Sequence, residues 1–186
     1  MGLTIESCEI PDILEVTSDL FPDDRGYFTE FHNEAALRDS GFEHTFVQDN
    51  LSRSSKGVLR GLHYQLNPHA QGKLVRCITG AIFDVAVDIR QGSPTYGQHV
   101  TRELSADQGN ALWVPEGFAH GFLSLQDDTF VMYKCTAGWA NGVERTIRYD
   151  DPALEITWPS EPTLVNAKDL DGKTLSETEN NFTFKS

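Results

Sequence analysis

The 186-residue sequence has three cysteines, only fifteen lysines and arginines against twenty-eight aspartates and glutamates, and no long apolar run. Each shortage excludes something. Cys8, Cys77 and Cys135 are odd in number and far apart, so no disulfide framework is expected and a reducing, cytoplasmic setting is implied. The net charge of -13 leaves no dominant basic field, so nucleic acid is not an expected partner. A small phosphorylated ligand needs only a local cluster of Arg and Lys, which this chain has. No segment is apolar over the length that crosses a bilayer, so no membrane partner is expected. Met1 to Pro11 has neither the basic start nor the apolar stretch of a signal peptide, and Glu6 stands where a myristoylation signal at Gly2 needs Ser or Thr.

What is present is a chain of one-domain length with short β-rich apolar runs, punctuated by Gly and Pro every ten or so residues. The clearest strand is Ala81 to Arg90, where Phe83, Val85, Val87 and Ile89 alternate with Ile82, Asp84, Ala86 and Asp88. Gln91-Gly92-Ser93-Pro94 supplies the turn that ends it. Further strands are predicted over Thr45 to Ser52, Val58 to Gln65, Lys73 to Thr79, Gln98 to Leu104, Ala111 to Pro115, Gly121 to Leu125 and Phe130 to Thr136. One helix is predicted, Asn33 to Ser40, with Asn33 as N-cap and Gly41 just past its end. Many short strands and little helix predict an all-β, double-sheet jelly roll spanning residues 1–186. Residues 172–186 read as a polar tail, loosely held from Glu177 onward.

Two segments carry chemistry. In Gly57-Val58-Leu59-Arg60-Gly61-Leu62-His63-Tyr64-Gln65, an unbroken strand would point Arg60 and His63 to opposite faces, and Gly61 is where a bulge could turn both toward one cavity. In Pro115-Glu116-Gly117-Phe118-Ala119-His120-Gly121, the Pro-x-Gly-x-x-His pattern resembles the second motif of the cupin superfamily, a jelly-roll fold. Metal cupins carry Gly, five residues, then His-x-His. Here His63 follows Gly57 at that spacing but Gln65 replaces the second His, a poor transition-metal set, so no metal is expected.

With Asp24 to Glu30, Gln48 to Ser52, Gln71 to Arg76, Phe83 to Pro94, Val114 to Phe122 and Tyr133 to Thr136 added, the chain from about Ile10 to about Asp171 resembles the dTDP-4-dehydrorhamnose 3,5-epimerase family, cupin-type enzymes of sugar-nucleotide metabolism. The resemblance implies an isomerase without a cofactor, acting on a dTDP-linked 4-keto-6-deoxyhexose. A C4 ketone acidifies the protons on C3 and C5, and inversion needs a base on one face, an acid on the other and a donor for the enolate oxygen. His63 is the candidate base, since its ordinary pKa lies near neutrality. Asp169 would orient it, as family dyads do, Tyr133 matches the family's acid, and Lys73 suits the oxyanion.

The resemblance also implies the binding set. Arg25 and Arg60 would meet the diphosphate, and Gln48 and Asn50, which share a strand face, one edge of the ligand. Asp49, Glu30, His120, Glu144 and Lys168 match other binding positions. Trp139, where the family usually has Tyr, would offer with Phe21 and Phe28 a ring to stack on the base. In the family the segment Arg25 to Glu30 reaches a neighbouring subunit, implying a homodimer to whose partner site residues 1–30 contribute. Asp84, opposite the apolar face of its strand, is expected to support Lys73 or His63. Arg76, Arg90 and Lys134 read as solvated or structural, and His32, His44, His69 and His99 as surface. The alternatives are a single-centre epimerase or ketoisomerase on a related nucleotide sugar, a non-catalytic sugar-nucleotide binding module, and a metal-dependent cupin oxygenase, which Gln65 disfavours.

Overall fold

A computed structural model describes residues 2–185. Two six-stranded layers dominate it. The first sheet runs in the order β1 (Leu3–Ser7), β2 (Leu14–Ser18), β10 (Asn110–Val114), β7 (Lys73–Thr79), β12 (Thr129–Cys135) and β5 (Gln48–Ser54). The second runs β13 (Glu144–Thr146), β6 (Val58–Gln65), β11 (Phe118–Ser124), β8 (Ala81–Asp88) and β9 (His99–Ser105), with β14 (Leu164–Val165) pairing in parallel to β6. A hairpin of β3 (Phe21–Asp23) and β4 (Gly26–Phe28) stands apart from both. The helices are α1 (Glu34–Asp39) and α2 (Ala167–Leu170). This is the all-β jelly roll of the cupin type.

The period of two along each strand explains the layering. On β8, Ile82 and Ala86 point inward to a core completed by Val75 and Cys77 of β7, Leu112 and Val114 of β10, Val131 of β12 and Phe122 of β11. Val85, Val87 and the following Ile89 point outward, yet are equally buried. The returning C-terminal segment covers them through Ile147, Leu154, Leu175 and Phe182. Each such fully buried aliphatic contributes roughly 2 kcal/mol from area removed from water. The first sheet's outer face is covered by Leu37 of α1 and by Phe42, which packs edge-on against Trp113 at 5.0 Å. Helix α1 starts where expected, the Asn33 side chain accepting from the Ala36 amide at 3.1 Å.

The clearest departures from the sequence expectations lie at the two ends of the chain. Leu3–Ser7 and Leu14–Ser18 form strands that pair with each other and with β10, where no element was predicted. The signal was present, since Leu3 and Ile5 alternate with Thr4 and Glu6. The tail beyond Glu177 is held, not loose. Phe182 is only 6% exposed, Tyr64 Oη lies 2.9 Å from Thr178 Oγ1, and Gln91 bridges Thr183. Of the two readings expected for Arg90 and Arg76, solvated or structural, the second holds: Arg90 ties Asp88 at 2.7 Å to Asp12 at 3.1 Å and stacks on Phe118 and Phe184, while Arg76 is buried beneath Phe31.

Candidate active site

A cavity of about 210 Å³ opens between the two sheets, lined by Ser52, Arg60, His63, Lys73, His120, Phe122, Tyr133, Glu144 and Asn166. The expected bulge brings Arg60 and His63 to one side. His120 of β11 sits opposite His63, but Phe122, two residues on, sits opposite Arg60, three residues back. The extra residue in β6 falls at Gly61, whose φ of +124° only glycine adopts readily. A Cβ there would lie 2.5 Å from Gly121 Cα, and one on Gly121 would lie 2.6 Å from the Arg60 carbonyl oxygen, so the close strand approach requires glycine on both sides.

His63 is held by Asp169. Its Nε2 lies 2.6 Å from Asp169 Oδ1, and the Gly61 amide donates to Oδ2 at 3.1 Å. The carboxylate is 0% exposed. Burial alone would raise its pKa, but the hydrogen bond and charge of His63 and the Gly61 amide outweigh that and hold it below the usual carboxylate value. Asn166 caps α2, its side chain accepting from the Asp169 amide at 2.8 Å, which fixes the residue in place. With Asp169 ionised, a neutral His63 carries its proton on Nε2 and keeps a lone pair on Nδ1.

Tyr133 comes from β12 in the facing sheet. Burial pushes its phenol up, and Cys135 and Glu144 add to the rise, so it stays protonated through the neutral range. Lys73 begins β7 directly opposite Cys135 and sends Nζ to the His63 carbonyl at 3.2 Å. It has no ion-pair partner within 4 Å among the described residues, and burial holds its pKa below the usual ammonium value. Lys73 thus shares one cavity with a histidine and a tyrosine from facing sheets, where an ammonium can stabilise an oxyanion. Arg60 is braced by Ser54 Oγ at 3.1 Å and the Arg53 carbonyl at 3.1 Å. At the rim Glu144 pairs with Lys168.

Gln48 and Asn50 share the inner face of β5 as expected, Gln48 Nε2 donating to Asn50 Oδ1 at 3.1 Å. Gln48 Oε1 also accepts from the Trp139 amide at 2.8 Å, which places the 60%-exposed Trp139 ring at the end of the same row. Gln65 braces that loop from below, donating to the His69 and Gly138 carbonyls at 2.7 and 3.2 Å and accepting from the Ala140 amide at 2.8 Å. Both ends of the amide are spent on structure. Asp49, expected beside them at the ligand, does not join them: period two turns it away from Gln48 and Asn50, and it pairs with Lys134 at 2.8 Å on the outer face. Arg25, Phe28 and Glu30 also lie outside this cavity. Arg25 pairs with Asp23 at 2.5 Å on the exposed hairpin, Phe28 is 61% exposed, and Glu30 accepts from Asn33 at 3.0 Å in a separate depression. Asp84 supports His120, with Oδ1 2.8 Å from Nε2, not His63 as one expectation had it. Ser52, Phe122 and Asn166 line the cavity without having been singled out. For Ser52 the signal was its parity with Gln48 and Asn50.

The profile of the dTDP-4-dehydrorhamnose 3,5-epimerase family matches residues 7–177. The chain belongs to that family. A dTDP-4-dehydrorhamnose 3,5-epimerase from Shigella flexneri is 48% identical over 172 residues, 92% of this chain and 95% of that one. The crystal structure of the epimerase RmlC from Legionella pneumophila, in complex with dTDP-4-keto-L-rhamnose, superposes with a TM-score of 0.90 at 43% identity, covering 95% of this chain and 94% of that one. ChmJ, a 3'-monoepimerase from Streptomyces bikiniensis solved with dTDP-quinovose, superposes with a TM-score of 0.86 at 33% identity, covering 92% and 87%. Among the described residues no helix is long and apolar enough to cross a membrane.

Proposed function

We propose that the chain inverts C3 and C5 of dTDP-4-dehydro-6-deoxy-D-glucose, giving dTDP-4-dehydro-L-rhamnose. The observation that carries this reading is one cavity in which His63, backed by Asp169, and Tyr133 come from facing sheets, with Lys73 lining the same cavity and touching the His63 carbonyl. His63 Nδ1 takes the proton from the carbon beside the ketone, and the electron pair moves onto O4. Lys73 donates to that oxyanion. Tyr133 then delivers its phenolic proton to the opposite face of the same carbon, and both side chains return to their starting states by exchange with solvent. A base and a positioned acid each contribute about a hundredfold or more.

The nucleotide would lie along Arg60, Gln48 and Asn50 with its base on Trp139, a stack that tolerates Trp in place of Tyr. Arg25, Phe28 and Glu30 complete a site on the neighbouring subunit of a homodimer. Their position on a hairpin outside their own cavity supports that reading, as do the exposed rings of Phe21, Tyr27 and Phe28. Work on a nucleotide-activated sugar and three free, buried thiols suit the cytoplasm.

The test is turnover of dTDP-4-keto-6-deoxyglucose in deuterated water, with deuterium located by NMR. Label at both C3 and C5 of an L-configured product is expected. Label at C3 alone would make this a single-centre epimerase, and no label would leave a binding module.

A further inference from the structure

One buried charge beside the cavity is not used by the chemistry above. Asp84, at the middle of β8, is 0% exposed. Its Oδ1 lies 2.8 Å from His120 Nε2, while Oδ2 has no hydrogen-bond partner among the described residues. A carboxylate taken out of water at this depth must be compensated. Burial raises the Asp84 pKa above the usual carboxylate value, and the hydrogen bond with His120 and the charge of Lys73 offset part of that rise. The arrangement repeats that of the first dyad. His120 and His63 face each other as partners on β11 and β6, and each turns Nε2 to an aspartate that is 0% exposed.

We propose that Asp84 is a positioning residue for the epimerisation, fixing His120 as the Nε2–H tautomer and keeping the buried Lys73 ammonium charged for the oxyanion. The proposal rests on the epimerase reading. Its first half follows from proton count: Asp84 ionised beside the Lys73 charge can only accept, so a neutral His120 carries its hydrogen on Nε2 and leaves Nδ1 as an acceptor for a sugar hydroxyl. Its second half follows from the surroundings of Lys73. The Lys73 Nζ rests on the carbonyl of His63 on β6, whose strand partner His120 on β11 holds Asp84 of β8. Cys135 lies opposite Lys73 on β12, Tyr133 and Glu144 line the same cavity, and Lys168 of α2 pairs with Glu144. Burial, the largest influence, and Lys168 push its proton off, whereas Cys135, Glu144 and Asp84 hold it on. Glu144 already pairs with Lys168, and Cys135 is a thiol whose pKa burial raises, which leaves Asp84, with Oδ2 unpartnered among the described residues, as the buried carboxylate acting on Lys73. Removing its charge therefore lets Lys73 lose its proton at lower pH.

The test uses the whole protein carrying ¹⁵N-histidine and ¹³Cε-lysine. In the resting wild type His120 should give the signature of the Nε2–H tautomer. In Asp84→Asn, which keeps shape and loses charge, the Lys73 titration midpoint should fall by about one pH unit or more, the effect of losing a nearby opposite charge. The alkaline limb of kcat should move down with it. Asp84→Glu keeps the charge and should leave the Lys73 midpoint near that of the wild type even if kcat falls. An Nδ1–H tautomer in the wild type overturns the proposal, as does a Lys73 midpoint that Asp84→Asn leaves in place. An aspartate that only supports the fold would lower Tm or kcat and move neither signal. Should Asp84→Asn not fold, the wild-type tautomer and Asp84→Glu still decide. The NMR signals are read without substrate, so they stand or fall separately from the deuterium test of the epimerase reading.

Discussion

Tyr133→Phe removes one oxygen and tests whether Tyr133 is an acid or only a strand aromatic. The ring packs against the central core, and its hydroxyl has no protein hydrogen-bond partner among the described residues. The variant keeps that packing and breaks no protein hydrogen bond, so its unfolding free energy should stay within about 1 kcal/mol of wild type, the scale of a single hydrogen bond. His63, on the facing sheet, still reaches the substrate proton. The enolate then forms beside Lys73, and with no acid across from His63 it is reprotonated from the side it came from. Solvent deuterium should therefore still enter at C3 and C5, while inverted product falls by about a hundredfold or more. The assay is a time course in deuterated water with exchange and configuration read from the same NMR spectra. Exchange and inversion falling by one common factor would refute the assignment of Tyr133 as a dedicated acid, and no change in either would reduce it to packing.

Asp169→Asn should cost at least about a hundredfold in exchange at both carbons by releasing the His63 tautomer. The Asp169 pKa is held below its unfolded value, so its contribution to stability is present above pH of about 4 and lost as pH falls through the lower folded value. The stability gap between variant and wild type, followed by denaturant titration, should accordingly narrow in acid. Phe182→Ala should cost about 3 kcal/mol, since a buried ring leaves a cavity against Tyr64 and Ile89, and an unchanged Tm would mean the tail is not docked. Mixing inactive Arg25→Ala and His63→Asn proteins, with exchange of subunits, should restore part of the activity if the hairpin completes a neighbour's site, and no recovery would place Arg25 elsewhere. Turnover should survive exhaustive chelation, with far less than one transition metal per chain by elemental analysis, because Gln65 is committed to the Trp139 loop.

The local determinants were legible wherever one residue's chemistry decides the matter alone. Alternation in Ala81 to Arg90 assigned both faces of β8, Asn33 marked the start of α1, and Gly61 located the bulge that turns Arg60 and His63 to the same side. Even the outward turn of Asp49 was available from its parity with Gln48. Family resemblance added the grouping of His63, Lys73, Tyr133 and Asp169, which spacing alone could not supply because they lie up to 106 residues apart in sequence. Partner choice needed the fold. Parity put Asp84 on the inner side of its strand, but whether it meets Lys73, His63 or His120 depends on the registry of β8 against β11, which pairs Ala86 with His120. The polar composition of the tail likewise concealed its docking, because the energy of that contact comes from one ring, Phe182, entering a patch left by β6, β8 and β11. An apolar strand face facing outward calls for a cover, but only the returning chain decides which segment supplies it.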